Sequence, residues 1–320
     1  MNASSGRRRA ALCVRAGMIG LVTVACGEAP EPDVPPTRET TAAKVDTLTA
    51  CPWGTANLIA NYGFDTVGVA PWTLETGVVG ATSPGPSAAL DWRGGSMPNV
   101  AQIARRCLSA GSAGVTIHPR PDQRHARYSD AIELAAVVAD FPGAELNIEG
   151  APIEPFLDVV LQAKPAQCTL VPDAPSQLTS DHGWDVRQHA AQLARVIARL
   201  HAAGIRVSLF LDPIAEQVRA AAAVGAQRIE LYTAEHAHTF GQPTSREVLA
   251  RFRAAAELSA SLGLGVNAGH DLNLANLSAF LEAVPGVLEV SIGHALVCEC
   301  FDFTLEGTLE RYLAITGVRR

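Results

Sequence analysis

The chain has 320 residues, of which 48% are hydrophobic, 18% charged and 5% aromatic, and its formal net charge is −7. This composition excludes general disorder and indicates a globular protein with a sizeable core, in one large domain or two ordinary ones. The acidic balance argues against nucleic acid as the main partner, and seven scattered cysteines without a Cys-x-x-Cys pair favour free thiols in a reducing compartment.

The first 75 residues do not show the pattern of a folded domain. Three arginines at 7–9 precede an apolar run over 10–26, and a Pro/Glu/Thr-rich stretch follows over 28–41. This pattern resembles a signal segment, although the apolar run is too short and too interrupted for a transmembrane helix. Two interpretations stay open: an export or lipid-anchor signal, or an extension from an incorrect reading frame. We expect a poorly ordered extension over 1–75 and a folded domain over 76–320.

From about residue 77 onward, short β-branched runs alternate with Ala/Leu-rich helical stretches. Helices predicted over 186–203 and 214–224 end at Gly204 and Gly225, where a left-handed residue is typical of a C-cap. The predicted strands cover 77–82 (the weakest, GVVGAT), 114–119, 144–150, 168–173, 206–212, 228–234, 265–271 and 289–295. Eight βα units in about 240 residues favour a TIM (β/α)8 barrel. A doubly wound sheet is the alternative, but the chain has no Gly-rich loop after the first strand.

Titratable residues recur where the predicted strands end, which is the face that carries the active site in such barrels. These strand ends carry His118, Arg120, Glu149, Asp173, Asp212, His270, Asp271 and His294. Histidine suits proton transfer near neutral pH, and a carboxylate desolvated by the apolar run before Glu149 is expected to have a raised pKa. The three histidines and the glutamate together predict an acid–base active site.

The same strand ends carry features that suit anions. Glycines in "NAGHD" and "SIGHA" allow backbone N–H groups to approach a phosphate, while Arg120 and Arg124 suit a second anionic group. Metal binding by the histidines is the competing interpretation, but the sequence has no HxH or HExxH pair. We therefore predict acid–base chemistry on a phosphorylated small molecule without a metal or nucleotide cofactor.

Several long motifs carry a family resemblance. "GVTIHPRPDQRH", "LNIEG", "TLVPD" with "LTSDHGWD", "GIRVSLFLD", "RIELYT", "LGLGVNAGHDL" and "EVSIGHAL" follow one another between about Arg93 and Leu313. In this order they resemble the pyridoxine 5′-phosphate synthase family of vitamin B6 biosynthesis. The resemblance implies a cytoplasmic TIM barrel, assembled as a homo-oligomer (an octamer in the family) and using no cofactor. It also implies condensation of 3-amino-2-oxopropyl phosphate with 1-deoxy-D-xylulose 5-phosphate to pyridoxine 5′-phosphate, phosphate and water.

The resemblance also assigns roles to residues. The catalytic residues that it implies are His118, Glu149 and His270, the last as proton donor. The implied substrate-binding residues are Arg120, His125 and Thr179 for the deoxyxylulose phosphate side and Asp271, Gly293 and His294 for the aminoacetone phosphate side. Arg93 is a further implied substrate-binding residue. Many family members have glycine where this chain has Asp271, and a contact made by the backbone would survive that difference.

One motif departs from the family. Its first strand reads approximately "VNxDHIATLRNxRG", whereas this chain reads "ATSPGPSAALDWRGG" over 81–95, and only Arg93 keeps its match. An incorrect reading frame, a paralogue that has lost part of its site, or another segment in the first-strand position would each explain this. The alternative function is therefore an impaired paralogue that binds a phosphorylated metabolite or co-assembles with an active subunit. A Schiff-base aldolase is another alternative, but that chemistry needs a lysine at a strand end, and Lys44 and Lys164, the only lysines, lie outside the predicted strands.

Overall fold

The computed structural model describes residues 11–16, 99–123, 126–174, 177 and 179–317. The strands are β1 (Ala11–Ala16), β2 (Gly114–Ile117), β3 (Glu145–Gly150), β4 (Gln167–Leu170), β5 (Arg206–Leu211), β6 (Arg228–Tyr232), β7 (Gly265–Gly269) and β8 (Val287–Ile292). The helices are α1 (Val100–Ala110), α2 (Tyr128–Ala139), α3 (Glu154–Ala163), α4 (Val186–Ala202), α5 (Ala215–Ala223), α6 (Ala234–Thr239), α7 (Ser245–Ser261), α8 (Leu277–Ala283) and α9 (His294–Thr316), the last kinked at Thr304.

The strands form a closed parallel barrel in the order β1 to β8. Each strand pairs with the next, and β1 closes the ring because Cys13 lies opposite Gly114 of β2 and Leu12 lies opposite Val290 of β8. A helix follows every strand from β2 to β8, as right-handed crossover connections between parallel strands require. The predicted TIM barrel is confirmed.

The first barrel strand is not where the sequence pattern placed it. The segment predicted as a strand over 77–82 lies outside the described residues, and β1 comes instead from the apolar run interpreted as signal-like. A strand of a parallel sheet is covered on both faces, so a short and mostly apolar run such as ALCVRA is suited to it. Such a run cannot be distinguished by periodicity from the apolar part of a signal segment. The boundary expected between residues 75 and 76 also lies outside the described residues and stays a prediction.

The helices begin and end where their terminal residues satisfy the backbone. Asn99 caps α1 by accepting a hydrogen bond from the Gln102 amide (2.7 Å), and Asp185 caps α4 in the same way. Gly204 and Gly225 follow α4 and α5 with φ of 79° and 88°, which confirms the predicted left-handed positions. The largest fully buried side chains include Phe156, Phe252, Phe280 and Tyr312. Burial of each contributes about 1.5–3 kcal/mol.

Inside the barrel, polar side chains alternate with apolar ones along the strands. The Thr116 and Ser291 hydroxyls lie 3.5 Å apart across β1, and Asn147 accepts a hydrogen bond from Thr169 (3.1 Å). At the strand starts, Arg228 donates to Glu289 (3.1 Å) at the end of the barrel opposite the predicted site. The interior is thus hydrogen-bonded rather than filled only by aliphatic side chains.

None of the helices in the described part of the chain combines the length and the apolar character that a membrane span needs.

Candidate active site

The carboxyl ends of β2, β3 and β4 place an imidazole between two carboxylates. His118 follows β2, and its Nδ1 lies 3.9 Å from Oε2 of Glu149 in β3. Its Nε2 lies 3.7 Å from Oδ2 of Asp173, which follows β4. All three residues are buried. Because both ring nitrogens face a carboxylate, the imidazole can take a proton at one nitrogen and release one at the other.

Glu149 is buried within the barrel, as the apolar residues before it predict. It is 1% exposed, and its Oε1 accepts a hydrogen bond from Nδ2 of the Asn147 side chain (3.4 Å). The Asn147 Oδ1 accepts the Thr169 hydroxyl hydrogen bond, which fixes the amide orientation. The carboxylate is therefore held by a side chain of its own strand, which Thr169 of β4 orients in turn, as a positioned acid or base requires.

Arg120 joins the end of β2 to the loop between β4 and α4. Its Nη1 lies 3.2 Å from Oδ2 of Asp173 and donates to the Gln177 carbonyl (3.2 Å). The Ser180 hydroxyl donates to the same Asp173 oxygen (2.8 Å). Thr179 lies in this loop, so the structure brings the predicted Arg120 and Thr179 to one side of the mouth. Arg93, Arg124 and His125 lie outside the described residues, and their roles stay predictions.

The "HGWD" motif docks this loop onto the end of β5. The Gly183 amide donates to Oδ2 of Asp212 (3.0 Å), and the Trp184 amide donates to the Phe210 carbonyl (2.9 Å). The indole Nε1 of Trp184 donates to the Leu170 carbonyl of β4 (2.9 Å). A Cβ at Gly183 would lie 2.3 Å from the Asp212 backbone nitrogen, so only glycine allows this approach.

His270 and Asp271 follow β7 on the side of the closed barrel opposite β3. Both have a left-handed backbone, with φ of 74° and 57°. The His270 ring packs against Phe210 at a centroid distance of 4.7 Å and against Tyr232 at 5.3 Å. Burial raises the pKa of Tyr232 to about 12, and the negative charge of Asp271 adds to the shift. The phenol therefore stays protonated beside His270 at neutral pH.

A further buried carboxylate, which the sequence analysis missed, lies near the end of β7. Glu230 of β6 is 1% exposed, and a Cβ added at Gly269 would lie 2.1 Å from its Oε1. The glycine therefore leaves room for this carboxylate. The prediction from strand ends did not include Glu230, because this residue lies inside its strand. The usable signal was an acidic residue between isoleucine and leucine in "RIELY", since a buried acid is uncommon and such groups occur often at functional sites.

The last predicted residues lie where β8 passes into α9. Gly293 precedes the helix, and His294 is its first residue. Backbone N–H groups and the helix dipole make a helix N-terminus suitable for an anion. The Nε2 of His294 lies 3.4 Å from Sγ of Cys298, one turn further along α9. No group of three or more His, Cys, Asp or Glu residues within the described segments is placed to hold a metal ion.

Comparisons with known proteins agree with this geometry. The family described as pyridoxal phosphate biosynthesis protein PdxJ matches residues 89–317. The protein named pyridoxine 5′-phosphate synthase from Christiangramia forsetii is 49% identical over 223 residues, which cover 70% of this chain and 92% of that protein. Proteins of the same name from Xanthomonas oryzae pv. oryzae (230 residues; 70% and 90% covered) and Brucella anthropi (220 residues; 68% and 89%) are each 49% identical. The chain therefore belongs to the PdxJ family of pyridoxal phosphate biosynthesis proteins.

Proposed function

We propose that this chain is a pyridoxine 5′-phosphate synthase. It condenses 3-amino-2-oxopropyl phosphate with 1-deoxy-D-xylulose 5-phosphate and yields pyridoxine 5′-phosphate, phosphate and water. The observation that carries the proposal is the grouping of His118 between Glu149 and Asp173 at the mouth of the barrel, with His270 on the opposite wall. The name shared by relatives at 49% identity supports the same reaction.

The reaction needs proton transfers at more than one point. The amine of one substrate attacks the ketone of the other, and loss of water requires a proton to be removed from nitrogen and delivered to oxygen. His118 and Glu149 serve these transfers on one wall, and His270 delivers a proton from the opposite wall during the later elimination and ring-closing steps. Fixed strand ends hold these groups around one bound intermediate, so each can act in turn.

The two anionic substrates suit different parts of the mouth. Arg120, Thr179 and His125 bind deoxyxylulose phosphate, and the Arg120 guanidinium supplies positive charge for this anionic substrate. Arg93 is a further substrate-binding residue. Asp271, Gly293 and His294 bind the aminoacetone phosphate side. The left-handed backbone of Asp271 supports a main-chain contact, because this conformation is one that the family's glycine adopts easily.

The family resemblance extends the proposal to assembly and location. We expect the chain to act in the cytoplasm as a homo-oligomer, without a cofactor. Equilibrium sedimentation of the full chain tests the assembly, and a single species of monomer mass would contradict it.

The test of the proposed function is an assay of the full chain with both substrates. Pyridoxine 5′-phosphate formation is followed by its absorbance and fluorescence. Glu149→Gln removes the carboxylate and is expected to lower kcat by about 100-fold or more. Glu145→Gln is the matched control, since Glu145 begins the same strand at the opposite end of the barrel and pairs with Arg206. A folded chain without product, or full activity in Glu149→Gln, would refute the proposal.

A further inference from the structure

The backbone that carries His270 holds an unfavourable conformation at two successive residues. His270 and Asp271 both have positive φ, and neither is glycine. A Cβ disfavours this region, so two such residues in a row persist only when their surroundings impose the conformation. The position is also where the chemistry is expected, because His270 is the proposed proton donor. The contacts that impose this conformation therefore also determine the direction in which the His270 ring points.

Buried side chains from outside the strand hold three successive carbonyl groups. The Thr233 backbone N–H donates to the Gly269 carbonyl (3.0 Å), and the single proton of its hydroxyl is shared between the carbonyls of Gly269 (2.8 Å) and His270. The Asn276 Nδ2 donates to the carbonyl of Asp271 (3.0 Å). Thr233 is fully buried, and Asn276 is 1% exposed. Because these bonds are shielded from water, they fix the orientation of the peptide groups on both sides of Asp271.

Asn276 and the loop before it are held in place by contacts to helices α6 and α9. Its Oδ1 accepts a hydrogen bond from the Asn273 amide (2.9 Å), and its carbonyl oxygen lies 3.1 Å from Nε2 of His236 in α6. On the other side, Glu299 of α9 accepts a hydrogen bond from the Leu274 amide (3.0 Å). The loop over 271–276 is thus hydrogen-bonded to α6 on one side and to α9 on the other. The side-chain amide of Asn276 connects this fixed part of the loop to the carbonyl of Asp271.

We propose that Asn276 is a positioning residue for this reaction: its side-chain amide holds Asp271 in the left-handed conformation and thereby aims the His270 ring and the Asp271 backbone at the substrates. This inference rests on the proposed function and assigns a role within it. Both hydrogen bonds of the Asn276 side chain end on the backbone of the loop, so this side chain acts directly on the loop conformation.

Asn276→Asp separates the two bonds of this side chain in a nearly isosteric change. The carboxylate keeps an acceptor for the Asn273 amide but loses the donor to the Asp271 carbonyl, which it repels instead. We expect kcat to fall by about 10- to 100-fold, since small misplacement of a catalytic group has effects of that size. Leu277→Ala is the control: Leu277 is the adjacent, fully buried residue, and its truncation should lower the unfolding midpoint while kcat is retained.

A second-site change distinguishes positioning from general stability. Asp271→Gly removes the Cβ that makes the left-handed conformation unfavourable, so the hold of Asn276 is needed less. Adding D271G to N276D should therefore raise kcat relative to N276D by a larger factor than adding D271G to the wild-type chain changes kcat relative to wild type. Equal ratios in the two backgrounds, or wild-type kcat in N276D, would overturn the inference.

A structural readout keeps the inference separate from the proposed function. Crystal structures of the wild-type chain and of N276D report the φ angle of residue 271 whether or not the chain turns over. We expect φ to leave the left-handed region in N276D. An unchanged backbone in N276D would overturn the inference, whereas absence of product from the wild-type chain would refute the proposed function alone.

Discussion

Gly183→Ala perturbs the contact between the β4–α4 loop and the end of β5. The added Cβ would lie 2.3 Å from the Asp212 nitrogen and 2.6 Å from the Leu211 carbonyl carbon and Cα. All three are backbone atoms, so no change of side-chain rotamer relieves the contact. The loop must therefore move away from β5, by about 1 Å or more if ordinary carbon contacts of about 3.5 Å are to be restored.

The size of the effect follows from what this movement breaks. The hydrogen bonds from Gly183 to Asp212 (3.0 Å) and from Trp184 to Phe210 (2.9 Å) would both be lost or lengthened. Each contributes about 1 kcal/mol net, and overpacking adds about 1–3 kcal/mol. We expect G183A to lower the free energy of unfolding by about 3–5 kcal/mol, a large part of the 5–15 kcal/mol of a typical domain.

Urea unfolding at equilibrium measures this loss. Gly204→Ala is the matched control, because Gly204 has φ of 79° but a Cβ there meets nothing within 4 Å. It should lose only the left-handed strain, about 1–2 kcal/mol. A loss in G183A no greater than that in G204A would refute the argument that backbone proximity requires glycine at this position.

Two further predictions concern buried polar groups. Burial lowers the pKa of His236 from its ordinary value of 6.5, against a smaller opposing effect of the Asn276 carbonyl. The contribution of His236 to stability is thus complete above pH 6.5 and is lost as the pH falls through the lowered pKa. Urea unfolding should therefore show that the free energy of unfolding decreases more between pH 7.5 and pH 5.5 in wild type than in His236→Gln. Equal decreases in the two proteins would contradict this prediction. Arg228→Met should lower the free energy of unfolding by about 3–5 kcal/mol, because it removes an ion-pair partner of the buried Glu289. The double variant R228M/E289M should be closer to wild type in the free energy of unfolding, since it leaves no buried charge without this partner. A loss in the double variant equal to or greater than that in R228M would contradict this prediction.

The fold was predictable where one strand–helix unit repeats the next. Strands β2 to β8 follow from apolar runs at regular spacing, and Gly204 and Gly225 mark helix ends correctly. The first strand was not predictable, because the run that forms β1 looks like the apolar part of a signal segment and the family's first-strand motif is missing. Only pairing with β2 and β8 identifies it, and pairing between distant segments leaves no periodicity in the sequence.

The candidate site was predictable to the extent that its residues lie at strand ends. The rule that barrel sites lie at this face found His118, Glu149 and His270. It did not find Glu230, which lies inside a strand, nor the second carboxylate contact that Asp173 makes with His118. Such contacts depend on side-chain directions across different strands. A sequence shows which residues end a strand but does not show which of their atoms meet.

The central claim is that one site joins both substrates into a single ring. The most direct measurement incubates the full chain with 15N-labelled 3-amino-2-oxopropyl phosphate and 13C-labelled 1-deoxy-D-xylulose 5-phosphate and analyses the product by mass spectrometry. We expect pyridoxine 5′-phosphate that carries both labels, formed only when both substrates are present and lost in Glu149→Gln. Folded protein that gives no doubly labelled product would show that this site does not join the two substrates.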